Sequence, residues 1–164
     1  MIIQANGFVV RFVKWLSNPN VLQYYEGRDN PFNEERVKKK FFNRGDHVSR
    51  CIFQYKGIPI GYVQFYPVTN LKEYKDIPNV YGMDQFIGEP EYWNQGIGTK
   101  LVKTVVNYLT SKLQAERIIM DPRVENVRAI HCYEKCGFVK RKLLPKHEWH
   151  EGEYRDCWLR EYRK

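Results

Sequence analysis

Cysteine is scarce in this sequence, and the four present, Cys51, Cys132, Cys136 and Cys157, form no Cys-x-x-Cys pair. That excludes a small disulfide-stapled scaffold and leaves unpaired thiols as the expectation. Long apolar runs are missing as well: none approaches the roughly 20 residues that span a bilayer, so no membrane partner is expected. Residues 1–6 lack the basic region and long apolar stretch of a secretory signal, which makes the cytoplasm the expected location. A Walker A loop and the dinucleotide Gly-x-Gly-x-x-Gly fingerprint are both absent, which removes the two commonest glycine-loop nucleotide sites. His147 and His150 stand three apart without a third ligand in reach of the pattern, so no metal is expected. There is no internal repeat, low-complexity tract or linker.

The 164 residues fit one domain over 1–164 with a single sizeable core. Hydrophobic content of 43% and aromatic content of 15% argue against disorder. The net charge of +8 first suggests nucleic acid, since a basic face releases counterions from phosphate backbones. Its distribution weakens that idea, because the basic residues fall into separate groups at 36–40, 140–142 and 160–164 without an RNA-reading or helix-turn-helix signature. Solvated surface is the plainer reading, with some positive potential near Lys100, Lys103 and Lys135 available to an anionic ligand.

Along the chain, residues 7–13 alternate as a first strand, and 14–25 read as a short helical region interrupted at Pro19. Asn33 is a plausible N-cap before an acidic first turn, predicting a helix from there through Phe42 that ends by Gly45. Residues 48–55 and 58–66 flank Lys56-Gly57, a hairpin signal. The polar, tyrosine-rich stretch 67–78 is longer than a simple connection needs and is a candidate binding loop. A strand over 79–88 leads through 89–93 into a glycine turn and a helix ending near Leu113. A short buried strand, 117–121, is stopped by Pro122, and a second helix opens at Asn126 and closes at Gly137. Strands 138–144 and 154–162 are expected to close the sheet across a turn at 147–152. The order predicts a mixed α/β layer fold with a largely antiparallel sheet.

Two segments carry chemistry. In Asn94-Gln95-Gly96-Ile97-Gly98-Thr99-Lys100 the glycines sit where a turn feeds a helix, and amides at a helix start cradle phosphate. Asn126 follows 28 residues after Gly98 and opens Asn-x-x-Ala-x-x-x-Tyr-x-x-x-Gly-Phe, formed here by Asn126, Ala129, Tyr133, Gly137 and Phe138. The pair resembles the two coenzyme-binding motifs of the GNAT superfamily, the acyl-CoA-dependent N-acetyltransferases. The resemblance implies acetyl-CoA as cofactor, with its pyrophosphate on Gln95, Gly96, Ile97, Gly98, Thr99 and Lys100 and its pantetheine arm beside Asn126, Ala129, Tyr133 and Lys135. It also implies a GNAT fold, a central mixed sheet flanked by helices. Trp93 stands where the family's loop begins with Gln or Arg.

Acyl transfer to an amine needs a neutral nucleophile, a stabilised oxyanion and a proton for the leaving thiolate. Asp84 puts a carboxylate on a strand otherwise suited to the core, which makes it a candidate base or cation anchor, with a structural salt bridge as the alternative. Tyr133 lies two helical turns after Asn126 on the same face, where a phenol can protonate a thiolate or simply pack. His131 points to another face and is read as structural.

The stretch 81–90, with Trp93 and Gly96-Ile97-Gly98-Thr99, is similar to the aminoglycoside 6'-N-acetyltransferases, including the acetyltransferase half of bifunctional acetyltransferase–phosphotransferases. Residues 25–29, 59–62, His147 with 150–152, and 161–163 extend the similarity to nearly the whole chain, which is shortened between Val13 and Lys14. The resemblance implies transfer to the 6'-amine of an aminoglycoside, with Asp84 as base, Tyr133 as acid, and backbone amides at Phe86 and Ile87 facing the thioester. Tyr25, Glu26, Asp84, Asp121 and Asp156 are then the candidates for holding a polycationic amine; Tyr25, Tyr66 and Tyr74 are candidates for stacking on sugar faces. A GNAT enzyme acting on a polyamine, small metabolite or protein N-terminus, and a non-catalytic basic nucleic-acid-binding module, stay open as alternatives. So do a monomer and a homodimer.

Overall fold

Phe12, Trp15 and Leu16 stand at helical spacing. In the computed structural model, which describes residues 2–4, 7–42 and 44–164, all three are fully buried while Val10 is left in solvent. The segment predicted as a first strand over 7–13 is therefore helix α1 (Val9–Trp15). Alternation of Phe8, Val10 and Phe12 mimics a strand, but only the 3.6-residue period brings the three large side chains onto one face. Asn18 accepts from the Asn20 amide and opens α2 (Pro19–Leu22). Asn33 likewise accepts from Arg36 and opens α3 (Glu34–Val37), which continues as a π-helical turn over Lys38–Phe42.

The strands are β1 (Ile2–Gln4), β2 (Ser49–Tyr55), β3 (Ile58–Pro67), β4 (Val80–Ile87), β5 (Arg117–Met120), β6 (Val139–His150) and β7 (Glu153–Arg163). They lie in the order β1-β2-β3-β4-β5-β7-β6. β4 and β5 pair in parallel, β1–β2, β5–β7 and β6–β7 antiparallel, giving the mixed, largely antiparallel sheet expected. Lys56 and Gly57 turn β2 into β3 at φ 50° and 79°, the left-handed pair a two-residue hairpin requires. The turn predicted at 147–152 is much tighter: β6 runs to His150 and the chain reverses at Glu151-Gly152, φ 50° and 87°. An irregularity in β6 between Leu144 and Glu148 mimics a turn in sequence; there Lys146 takes φ 49° and its amide donates to Asp156 at 2.8 Å.

Contacts group the chain into two compact units: the residues through Gln64 with Gln85–Trp93, and Phe65–Asp84 with Asn94–Lys164. The core of the first is aromatic, with Phe12 4.6 Å from Phe41 and 5.1 Å from Tyr62 between ring centroids. Trp15 lies on Gly88 so closely that a Cβ there would fall 2.2 Å from its Cγ. Its indole N–H donates to Glu89 at 2.9 Å, and Lys14 donates to both carboxylate oxygens at 2.8 and 2.6 Å. Glu89 is buried; burial works to raise it, but the donors Lys14 and Trp15 outweigh that and hold the carboxyl below its ordinary value.

In the second unit, α4 (Ile97–Lys112) buries Ile97, Leu101, Val105 and Leu109, a four-residue stripe. α5 (Val127–Lys135) follows β5. The stretch 67–78, read as a candidate binding loop, is fastened down: Tyr74 is buried among Val80, Ile119 and Leu159, and Glu73 pairs with Lys142. Tyr74 is thus a packing residue, not a surface for sugar. Among the described residues no helix is long and apolar enough to cross a membrane.

Two outcomes follow from the Trp15 anchor. Gly88→Ala should lower unfolding free energy by about 1–3 kcal/mol, as overpacking does. Gly45→Ala, where a Cβ meets nothing within 4 Å, should be neutral or better in the same urea titration. Because the Glu89 carboxyl is depressed on folding, its stabilisation is present above its ordinary value of 4.5 and lost as pH falls further. Glu89→Gln should therefore be less stable than wild type at pH 7, and the gap should narrow through acid.

Candidate active site

The site begins where a ladder stops. β4 pairs with β5 from Val80 to Gly82, opposite Arg117 to Ile119. β5 ends at Met120 while β4 runs on to Ile87. The chain after β5 stays with β7: the Trp158 amide donates to Pro122 O at 2.9 Å, the Val124 amide to Asp156 O at 3.0 Å, and Arg123 bridges Cys157. Asp84 therefore sits two residues beyond the last β5-paired position, half-buried. It shares a strand face with Gly82, and Tyr66 covers that face: a Cβ at Gly82 would fall 2.4, 2.7 and 2.9 Å from Tyr66 Cε2, Cζ and Oη. The hydroxyl end of Tyr66 thus rests two residues from Asp84 on the same face, and the Asp84 charge acts on the phenol.

Tyr133 reaches the same place from α5. Asn126 caps that helix, accepting from the Ala129 amide at 3.3 Å. Its other end is tied down by Arg160, which donates to Glu134 at 2.9 Å. The Tyr133 ring packs 6.1 Å from Phe138. Its phenol is pushed up, by burial first and then by the negative charge of neighbouring groups including Asp84 and Asp121. A phenol raised in this way stays protonated at working pH and can give a proton, not take one. Asp84, Asp121, Tyr66 and Tyr133 thus form one electrostatically linked cluster in the second unit.

The glycine turn fits an anion. Gly96 takes φ 74° with nothing within 4 Å of its absent Cβ, no side chain caps α4, and its first turn holds no acid. The first amides of such a helix have no partner inside it, and Lys100 and Lys103 are exposed just beyond. Thr99 joins the two helices: its Oγ1 lies 3.6 Å from Cys132 Sγ, and Cys136 Sγ donates to its carbonyl at 3.7 Å. Burial pushes the Cys132 thiol up, and Cys136 up to about 11. Both are free, protonated packing groups. Gln95 and Lys135 are exposed and Ala129 is half-buried.

In the first unit Phe86 is buried, 4.6 Å from Tyr25 and 5.6 Å from Tyr62, so the Phe86 ring belongs to the core and the position offers only backbone to a ligand. Gly61 allows β3 to approach it, since a Cβ there would fall 2.4 Å from Phe86 O. Trp93, the departure from the family's loop pattern, donates its indole N–H to Ile87 O at 2.9 Å.

The acidic residues expected to hold a polycation already have internal partners. Glu26 pairs with Lys40, Asp156 accepts from the Lys146 amide, and His147 Nε2 lies 2.7 Å from Asp121 Oδ2. Of these, the His147–Asp121 pair is nearly half exposed on both sides. Among the described residues no three His, Cys, Asp or Glu side chains are gathered to hold a metal. Sequence reasoning missed the contacts of Tyr66 and His147 with the two site aspartates; the only signal for the first is a large residue facing a glycine across two strands.

Residues 9–145 match the acetyltransferase (GNAT) domain family. Aminoglycoside N(6')-acetyltransferase type 1 of Klebsiella pneumoniae is 30% identical over 135 residues, spanning 78% of this chain and 67% of that protein. Among solved structures, aminoglycoside acetyltransferase AAC(6')-Ib in complex with coenzyme A and kanamycin shares the fold with a TM-score of 0.81 at 23% identity, over 100% of this chain and 93% of that one. Spermidine N-acetyltransferase from Vibrio cholerae, in complex with CoA and spermine, does so with a TM-score of 0.76 at 22% identity, over 99% and 94%. By this match and by the glycine turn, capped second helix and interrupted central ladder that it spans, the chain belongs to the GNAT acetyltransferase family.

Proposed function

We propose that the protein transfers acetyl from acetyl-CoA to the 6'-amino group of an aminoglycoside, with Asp84 as base and Tyr133 as acid. The observation that carries the reading is the gathering of Asp84, Asp121 and a protonated Tyr133 beside the end of the β4–β5 ladder. Similarity to the Klebsiella enzyme over most of the chain supplies the substrate class. The amides of Ile97, Gly98 and Thr99, with the ammonium groups of Lys100 and Lys103, would hold the pyrophosphate. Asn126, Ala129, Tyr133 and Lys135 would flank the pantetheine arm. Bound there, acetyl-CoA supplies an activated thioester carbonyl.

Asp84 takes a proton from the bound ammonium, directly or through water, and leaves a neutral amine with a free lone pair. Backbone amides at Phe86 and Ile87 are assigned to the negative charge that grows on the carbonyl oxygen. As the C–S bond breaks, Tyr133 gives its hydroxyl proton to the departing thiolate; the nitrogen, now bonded to the acetyl carbon, sheds its second proton through water, which restores the phenol, and Asp84 releases to solvent the proton it took. Asp121 anchors a second ammonium of the acceptor in place of His147. Tyr25, Glu26 and Asp156 have no assigned role in this reading, because each is engaged internally. The proposal takes the chain as one catalytic domain working in the cytoplasm, as monomer or homodimer, without nucleic acid or membrane. A polyamine acceptor is the competing reading, since spermidine N-acetyltransferase shares the fold.

Coenzyme A release from acetyl-CoA should be seen with kanamycin and tobramycin and not with a 6'-hydroxyl analogue; release with spermine alone would discard the aminoglycoside. Asp84→Asn should lose turnover by about 10²–10⁴-fold, the usual worth of a positioned base, while acetyl-CoA affinity by calorimetry stays near wild type. Full turnover in that variant would remove Asp84 from the mechanism. Tyr133→Phe should slow kcat by about 10²-fold. Because the phenol is raised above its ordinary 10.0, wild-type kcat should show no alkaline fall due to Tyr133 up to that pH.

A further inference from the structure

We propose that Tyr66 is a positioning residue for the reaction: its ring seats on Gly82 and its hydroxyl donates to Asp84, fixing where that carboxylate points. The inference rests on the reading of Asp84 as base and adds a residue to it. The register comes from backbone, since the Val68 amide donates to Val80 O at 2.8 Å. That contact puts Tyr66 directly opposite Gly82 across the antiparallel β3–β4 pair. Residues two apart on one strand face are separated by about 7 Å, so a hydroxyl resting on position 82 has the carboxylate of position 84 as its next neighbour along that face. The ring can lie that way only over a residue without a side chain, and the Gly82 contacts of 2.4 to 2.9 Å run from Cε2 through Cζ to Oη, the hydroxyl end. Gly82 is therefore part of the device.

The charged and titratable groups acting on Tyr66 are Asp84 on its own sheet face and Asp121 after β5, the latter paired with His147 of β6. Tyr133 of α5 responds to the same two aspartates. Tyr66 is pushed up by burial first and then by those carboxylates, so it remains a neutral donor wherever the enzyme works. A donor to an ionised carboxylate favours the charged form, which here keeps the base ready to accept a proton. The alternative role, stacking on a sugar, uses the ring alone.

Tyr66→Phe separates the two, because it keeps the ring and removes only the donor. The expected result is a loss of about tenfold in kcat/KM for kanamycin, equivalent to one charged hydrogen bond. The acid limb should move to higher pH, while the KM for acetyl-CoA and the thermal midpoint stay unchanged. Carbon-13 carboxyl NMR, with the Asp84 signal assigned by its absence in Asp84→Asn, should show the Asp84 midpoint rising in Tyr66→Phe. That readout needs no acceptor, so it tests the contact even if kanamycin is not a substrate. An unmoved Asp84 midpoint, or wild-type kcat/KM and pH profile in Tyr66→Phe, would overturn the proposal while leaving Asp84 as base. Full activity in Asp84→Asn would overturn both.

Discussion

Pairing between β4 and β5 ends at Gly82 and Ile119, and the setting of Asp84 depends on that interruption. Pro122 carries no amide hydrogen, and the segment from Asp121 onward satisfies its backbone against β7. β4 continues without β5, and the next outward position on its Gly82 face is Asp84. A carboxylate inside a continued ladder would be enclosed by neighbouring strands at high desolvation cost. At the interrupted ladder it remains half-buried, and its charge acts on both Tyr66 and Tyr133.

Two glycines show how tightly aromatic rings are fitted against β4 and the residue that follows it. Tyr66 rests on Gly82 in the second unit and Trp15 on Gly88 in the first. In both cases the ring's polar atom reaches a carboxylate two positions or one position further along, Asp84 and Glu89. The physical rule is the same: removing a Cβ lets an aromatic lie flat on backbone, and its O–H or N–H then has a fixed target. The settings differ: Glu89 is buried and closed off by Lys14 and Arg11, whereas Asp84 is half-buried.

Charge follows a similar division. The surplus of +8 is spread over separate groups, and Glu26, Asp121 and Asp156 are already engaged by Lys40, His147 and a backbone amide. The start of α4 is the reverse case, with orphan amides, an uncapped left-handed glycine and lysines nearby. The molecule thus offers a positive cradle for an anionic coenzyme and a small, partly screened negative cluster for a cationic acceptor.

Much of this was legible in the residues themselves. Asn33 and Asn126 announced their helices, Lys56-Gly57 its hairpin, and Gly96-Ile97-Gly98 the turn into α4, because caps and left-handed turns are local events decided by a few side chains. Asp84 is legible as a carboxylate on a strand otherwise suited to the core, and Tyr133 through the motif that opens at Asn126. The first segment was misread as strand because alternation and helical spacing overlap in so short a run, and only burial of Phe12, Trp15 and Leu16 together decides between them. The end of the β4–β5 ladder, the seat of Tyr66 on Gly82 and the pairing of His147 with Asp121 were decided by tertiary structure alone. Each joins residues from different strands, and nothing local in any one of them specifies its partner.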